Sequence, residues 1–168
     1  LNEFRLSFKS TFEREAEFIE LMRKLWRGER ELNHQSALGS YPALQLAHYV
    51  NEDIPVLYVG FGPNSLHQAG KVYDGAHLHT FMSDQALSEA VTHFRAGEDE
   101  TGRSGGKLWS VFATACDVSD ERYLKLIVAR LATYLQIPGY GEALVNVNGW
   151  DMETLHAFRS APIVANMT

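Results

Sequence analysis

Short apolar runs alternate along the chain with segments whose apolar residues recur at helical spacing. Three runs, at 54–59, 76–81 and 108–116, predict buried strands, because glycine or polar turn residues flank each of them. A helical pattern follows each run, and another precedes the first and stops at Gly28. The chain is therefore expected to alternate strands and helices.

The predicted fold class is α/β, because strands that alternate with helices form a parallel sheet with right-handed crossovers. Two folds accept this order: a doubly wound open sheet, or part of a (β/α)8 barrel. A whole barrel takes about 250 residues, so this chain can hold about three or four of its units. We expect a single α/β domain over 1–168, with a helical tail from about residue 119.

A long connection separates the first helix from the first predicted strand. It covers residues 29–53 and includes Gly39 and Pro42. Loops of this length in compact domains are commonly functional or tied to missing structure.

Composition narrows the classes of partner. The net charge is −6, and no basic run interleaves with aromatic residues, so nucleic acid is not an expected partner. No apolar run approaches the roughly 20 residues of a membrane span, and no signal segment opens the chain. Cys116 is the only cysteine, which rules out an internal disulfide and favours a reducing cytoplasm.

The first predicted strand leads through Gly60 and Gly62 into a helix. Helix N-termini reached through glycine turns bind phosphate, because free N–H groups and the helix dipole both face the anion. The backbone N–H groups of Gly62, Asn64 and Ser65, with the Ser65 hydroxyl, are the candidates, and Pro63 fixes the backbone ahead of the helix. The alternative is that Asn64 or Ser65 only caps the helix.

Two histidines and a threonine mark the second predicted strand. His77 and His79 are two residues apart and share one face of the strand, whereas Thr80 points to the other. Functional residues in a barrel lie at the carboxyl ends of its strands, which favours His79 and Thr80 as contacts for a cofactor or substrate. Paired histidines also suit a metal, but no third or fourth ligand is evident, so we expect no metal site.

The third predicted strand ends in Thr114 and Cys116, either of which can face the same pocket. No basic residue adjoins Cys116 to activate its thiol, so we expect a small buried residue rather than a nucleophile.

Several short motifs resemble, in their order, the carboxyl-terminal half of the luciferase-like monooxygenase superfamily. They lie at 23–29 (RKLWRGE), 55–63 (PVLYVGFGP), 69–75 (AGKVYDG) and 102–103 (GR). Two more, at 132–141 (ATYLQIPGYG) and 148–151 (NGWD), resemble the branch of deazaflavin-dependent oxidoreductases that use coenzyme F-420.

The resemblance implies the carboxyl-terminal half of a (β/α)8 TIM barrel that binds deazaflavin (coenzyme F-420) or FMN and transfers a hydride to or from a small organic substrate. It implies that the cofactor phosphate lies over Gly62, Asn64 and Ser65, and that the ring lies near His79 and Thr80. His79 is then the candidate general acid, and the substrate enters beside 29–53. It also implies a homodimer or other homo-oligomer, or pairing with a missing amino-terminal half.

Three other hypotheses remain open from the sequence. One is a metal-dependent hydrolase that uses His77 and His79. A second is a non-catalytic half-barrel that serves only to assemble. The third is an open-sheet nucleotide-binding module, which is weakened because Ser65 stands where the dinucleotide fingerprint has its third glycine.

Overall fold

The chain folds into two compact units in a computed structural model. The units are Leu1–Val56 and Leu57–Thr168. The residues that the structure describes are 12–111, 117 and 119–161. The expectation of one domain over the whole chain stays a prediction. None of the helices in the described part of the chain has the length and apolar character that crossing a bilayer requires.

The first unit begins with helix α1 (Phe12–Trp26). Acidic residues lie in its first turn and basic residues in its last, which matches the helix dipole. Its buried face carries Ile19, Leu21 and Leu25. Gly28 ends it with a positive φ of 80°, a conformation that favours glycine, as the sequence predicts.

The connection at 29–53 is not without secondary structure, contrary to its interpretation from sequence. Strands β1 (Glu31–Ser36) and β2 (Gly39–Leu44) form an antiparallel hairpin, in which Ser36 pairs with Gly39 beside the turn. No residue of either strand is buried, and seven of the twelve are exposed. The buried–exposed alternation that identifies a strand is therefore missing from its sequence.

The second unit contains a parallel sheet of three strands, which confirms the predicted α/β class. Strands β3 (Leu57–Val59), β4 (Gly75–His77) and β5 (Lys107–Trp109) lie in the order β3-β4-β5. Helix α2 (Pro63–Val72) connects the first pair and helix α3 (Asp84–Glu100) the second.

One face of this sheet packs against α2 and α3. The buried residues of that core are Leu66, Ala69, Ala76, Leu78, Ala90 and Phe94. The two helices approach closely at Gly70 and Gly97, where an added Cβ would overlap the backbone carbonyl oxygens of Phe94 and His67. The absence of side chains at these two positions allows the close approach.

Three helices complete the second unit: α4 (Glu121–Leu135), α5 (Tyr140–Asn148) and α6 (Met152–Ser160). Asp120 caps α4 and Asp151 caps α6 by accepting backbone N–H groups. Their shared core contains Leu135, Leu144, Val145 and Leu155. This is the helical tail that the sequence predicts.

The strand bounds differ from those predicted. The ladder of β4 ends at His77, because its partner strand β5 ends its pairing at Trp109. Residues 78–81 therefore continue as a loop that bends at Thr80 and Phe81, although the Leu78 N–H still donates to the Trp109 carbonyl at 2.7 Å. Thr114 and Cys116 lie outside the described residues.

Candidate functional site

The face of the sheet opposite the helices carries a row of side chains at one level. Val59, His77 and Trp109 are paired across the three strands, and they alternate with the core residues because side chains in a strand point to opposite faces. Val59 is 74% exposed and Trp109 47% exposed. In a closed barrel this face would point inward.

A cavity of about 400 Å³ lies at the carboxyl ends of β3 and β4. Its lining comes from these strand ends and from α4 and α5: Val59, Gly60, Phe61, His77, Leu78, His79, Thr80, Tyr134 and Tyr140. Its position matches the place where α/β barrels carry their functional residues.

His79 is held as a neutral ring. Its Nδ1 accepts the backbone N–H of Phe81 at 3.1 Å. Burial lowers the pKa of the His79 imidazole below its ordinary value. Since Nδ1 accepts and the ring is neutral, the proton is assigned to Nε2.

The Nε2 atom of His79 is buried and has no hydrogen-bond partner among the described residues. A buried donor without an acceptor costs roughly 1–3 kcal/mol, so native proteins rarely leave one without a reason.

Aromatic rings surround the His79 imidazole. The ring of Tyr134 is 4.7 Å away between centroids and nearly perpendicular, at 87°. Phe61 lies at 5.4 Å and Tyr140 at 5.8 Å. Burial, with a smaller contribution from Tyr134, raises the pKa of the Tyr140 hydroxyl. The cavity therefore has apolar, aromatic walls with hydroxyl and imidazole groups.

The glycine turn leaves the start of α2 open. Gly62 is the N-cap residue, and no side chain caps the helix. The N–H of Leu66 donates to the Gly62 carbonyl. The N–H groups of Asn64 and Ser65 come earlier in the helix and therefore have no intrahelical acceptor. An added Cβ at Gly62 would meet only the Ser65 Oγ, at 3.6 Å.

The structure brings some of the sequence-predicted residues together. His77, His79 and Thr80 line the cavity, whereas Gly62, Asn64 and Ser65 do not line it but follow the lining residues Gly60 and Phe61 directly. The binding roles of these residues stay predictions.

Sequence reasoning missed the contributions of Tyr134 and Tyr140. Tyr134 lies near the end of α4, and Tyr140 is the first residue of α5. Both tyrosines are more than 50 residues from His79 along the chain, and no local spacing brings such positions together. The motif at 132–141 was the only sequence signal that contained them.

The described residues offer no ready metal site. Among them, no three His, Cys, Asp or Glu side chains come close enough to hold one ion. The Nδ1 lone pair of His79 is also engaged by the Phe81 N–H.

Parallel strands followed by helices, with a cavity at the strand ends, define an α/β fold, a class that includes both α/β barrels and open doubly wound sheets. The chain belongs to the luciferase-like monooxygenase family, whose model matches residues 1–159. A comparison with curated proteins finds no match.

Solved structures share the fold. The chain is similar to a coenzyme F420 dependent tetrahydromethanopterin reductase from Methanopyrus kandleri, with a TM-score of 0.64 and 17% identity, over 91% of this chain and 48% of that one. It is also similar to an F420-dependent secondary alcohol dehydrogenase in complex with an F420-acetone adduct, with a TM-score of 0.57 and 16% identity, over 89% of this chain and 49% of that one. The chain thus spans about half the length of these barrel proteins.

Proposed function

We propose that the chain is part of an oxidoreductase that transfers a hydride between a deazaflavin of the coenzyme F420 type, or FMN, and a small organic substrate. Membership of the luciferase-like family supports an oxidoreductase or monooxygenase. The F420-dependent enzymes with a similar fold make deazaflavin the first cofactor to test.

One observation carries the proposal. The uncapped start of α2 directly follows two residues that line the aromatic cavity, at the carboxyl ends of β3 and β4. An anion at Asn64 and Ser65 and a planar ring in the cavity would belong to one molecule. Flavin and deazaflavin cofactors combine these two parts, so the residues present fit such a group.

Different residues have different binding roles in this proposal. Gly62, Asn64 and Ser65 hold the phosphate, because their N–H groups and the helix dipole favour negative charge there. His79 and Thr80 face the ring and the substrate, and the aromatic walls exclude water. The cofactor supplies the hydride chemistry, so the protein needs neither a nucleophile nor a pair of carboxylates.

The test is an equilibrium titration with FMN and riboflavin, and with the deazaflavin and its dephosphorylated form, followed by fluorescence. The Gly62→Ala variant adds a methyl group over the phosphate position without a backbone clash. It should weaken binding of the phosphorylated ligands about tenfold or more, the effect of losing one or two charge-assisted hydrogen bonds. Binding of the unphosphorylated ligands should stay unchanged.

Two results would contradict the proposal. One is that neither cofactor binds the wild-type chain in its assembled state. The other is that the Gly62→Ala variant weakens both forms of each ligand equally, because the phosphate would then not be the group that this turn holds.

A second candidate function is a non-catalytic half-barrel that acts by assembly. The exposed row on the inner face of the sheet favours it, since Val59 and Trp109 leave large apolar area uncovered. Partner candidates are a second copy of the chain or the other half of a barrel.

We propose that the protein works in the cytoplasm, because its one cysteine and a reduced cofactor both suit a reducing compartment.

A further inference from the structure

Asn148, the last residue of α5, forms side-chain hydrogen bonds with the loop between β4 and α3. Its Oδ1 accepts the backbone N–H of Ser83 at 2.6 Å. Its Nδ2 donates to the carbonyl oxygens of Phe81, at 2.9 Å, and Leu144, at 2.8 Å. Because one partner is an N–H and two are carbonyls, the surroundings determine which way the amide points.

The loop held by Asn148 carries the imidazole of His79. The N–H of Phe81 donates to Nδ1 of His79, and the carbonyl of Phe81 accepts from Asn148. Both polar backbone groups of Phe81 are therefore engaged. A shift of Phe81 would move the donor that determines where His79 carries its proton.

The groups that face the imidazole from other elements do not favour its charged form. Phe61 follows β3, Tyr134 belongs to α4 and Tyr140 to α5, and each of these rings contacts the His79 ring. None of the three is a carboxylate. Protonation of Nδ1 would also break the hydrogen bond from Phe81.

We propose that Asn148 is a positioning residue that holds His79 as the neutral tautomer protonated at Nε2, and that this N–H donates to the carbonyl oxygen of an uncharged, planar ligand in the cavity. The aromatic walls select a planar ligand, and the donor selects an acceptor over a cation. The ligand part rests on the proposed function, since the carbonyl then belongs to the substrate or ring of that enzyme. Because Nε2 is buried in the free chain, the ligand must displace a neighbouring ring to reach it, and the Tyr134 ring lies closest to the imidazole.

The first test needs no cofactor. Nitrogen-15 NMR of the histidine rings in the free 168-residue chain reports which nitrogen of His79 carries the proton. The wild type should show a neutral ring protonated at Nε2 at pH 7. The Asn148→Asp variant keeps the acceptor and loses both donors, and its share of the other tautomer should rise about fivefold.

Two variants control this comparison. Asn146→Asp makes the same chemical change on the same helix at an exposed position, and should leave the His79 signals unchanged. Asn148→Ser, checked by circular dichroism, repeats the test without adding a charge. A wild-type His79 that is charged or protonated at Nδ1 would overturn the positioning role, as would equal spectra of the Asn148 and Asn146 variants.

The second test uses benzamide as a planar carbonyl probe, with toluene and benzylammonium as probes that lack the acceptor. Benzamide should shift the His79 Nε2–H signal and bind about fivefold more tightly than either of the others. In the His79→Phe variant this preference should disappear, whereas His93→Phe, outside this cavity, should retain it.

The ligand class is overturned if toluene binds as well as benzamide, if the preference survives in His79→Phe, or if none of the probes binds. Because these measurements are made without flavin or deazaflavin, failure of this inference is distinguishable from failure to bind the cofactor.

Discussion

Glu98 is a buried carboxylate near the end of α3, only 3% exposed, and its partners lie on both sides of the following turn. It pairs with Arg95 and accepts the backbone N–H of Gly106 at 2.7 Å. Burial alone would raise its pKa, but the hydrogen bonds from Arg95 and Gly106 outweigh burial and lower the pKa below the ordinary value. A single side chain thus determines how the chain turns from α3 toward β5.

Replacing Glu98 by alanine should destabilise the fold by about 2 kcal/mol, because the buried N–H of Gly106 and the Arg95 guanidinium both lose their acceptor. Urea denaturation measures this directly. Glu89→Ala, on the exposed side of the same helix, should change stability by less than about 0.5 kcal/mol. Equal losses in the two variants would show that the buried contacts are unimportant.

At the scale of elements, the close approach of α2 and α3 depends on two glycines as well as on the side chains of their shared core. The sequence predicts both helices correctly, because their apolar stripes and the turn before α2 are local signals. It does not predict the close approach, since that depends on which helix faces reach each other across the fold. The hairpin of β1 and β2 was not predicted for another reason: none of its strand residues is buried, so no buried–exposed alternation marks the strands.

The Gly70→Ala variant should destabilise the second unit by about 3 kcal/mol or more, because the new Cβ overlaps the Phe94 carbonyl. Thermal unfolding followed by circular dichroism provides the measurement. Gly62→Ala is the matched control, since its Cβ makes only an ordinary contact, and it should lose no more than about 1 kcal/mol, the cost of alanine at an N-cap. A Gly70→Ala protein with unchanged stability would contradict this packing.

The three carboxyl-terminal helices are linked by Arg159, which donates to the Leu135 carbonyl at 2.7 Å and pairs with Glu142 at 2.6 Å. The hydrogen bond from Arg159 is the main cause that lowers the pKa of Glu142 from 4.5 to about 2. Since the pKa is lower in the folded state, the charged carboxylate favours folding above pH 4.5.

The contribution of Glu142 should therefore be complete above pH 4.5 and be lost as the pH falls towards 2. Urea denaturation at several pH values in this range tests the expectation. The Glu142→Gln variant should lose less stability than the wild type over the same range. Parallel curves for the two proteins would show that Glu142 is not the titrating group.

At the scale of the whole molecule, the second unit has the strand order and the exposed inner face of an incomplete barrel. The sequence predicts this class because the strand–turn–helix units are local. The sequence predicts only those cavity-lining residues that lie at the strand ends. His79 and Thr80 lie where a strand ends, but Tyr134, Tyr140 and Asn148 join them from distant positions, through contacts that no spacing in the sequence encodes.

The exposed inner face should be covered when the protein assembles. Trp109→Lys places a charge on that face without touching the core, and should convert the assembled protein to single chains. Light scattering after size-exclusion chromatography measures the change. Val91→Lys, at an exposed apolar position of α3, is the control and should leave assembly intact. If Trp109→Lys assembles as the wild type does, this face is not the interface.

Native mass spectrometry of the purified protein, incubated with deazaflavin or FMN, tests the proposed oxidoreductase, because it measures mass, assembly and bound cofactor together. We expect an assembly larger than one 18.9 kDa chain that retains deazaflavin or FMN. A monomer of 18.9 kDa that retains neither cofactor would contradict the proposed oxidoreductase.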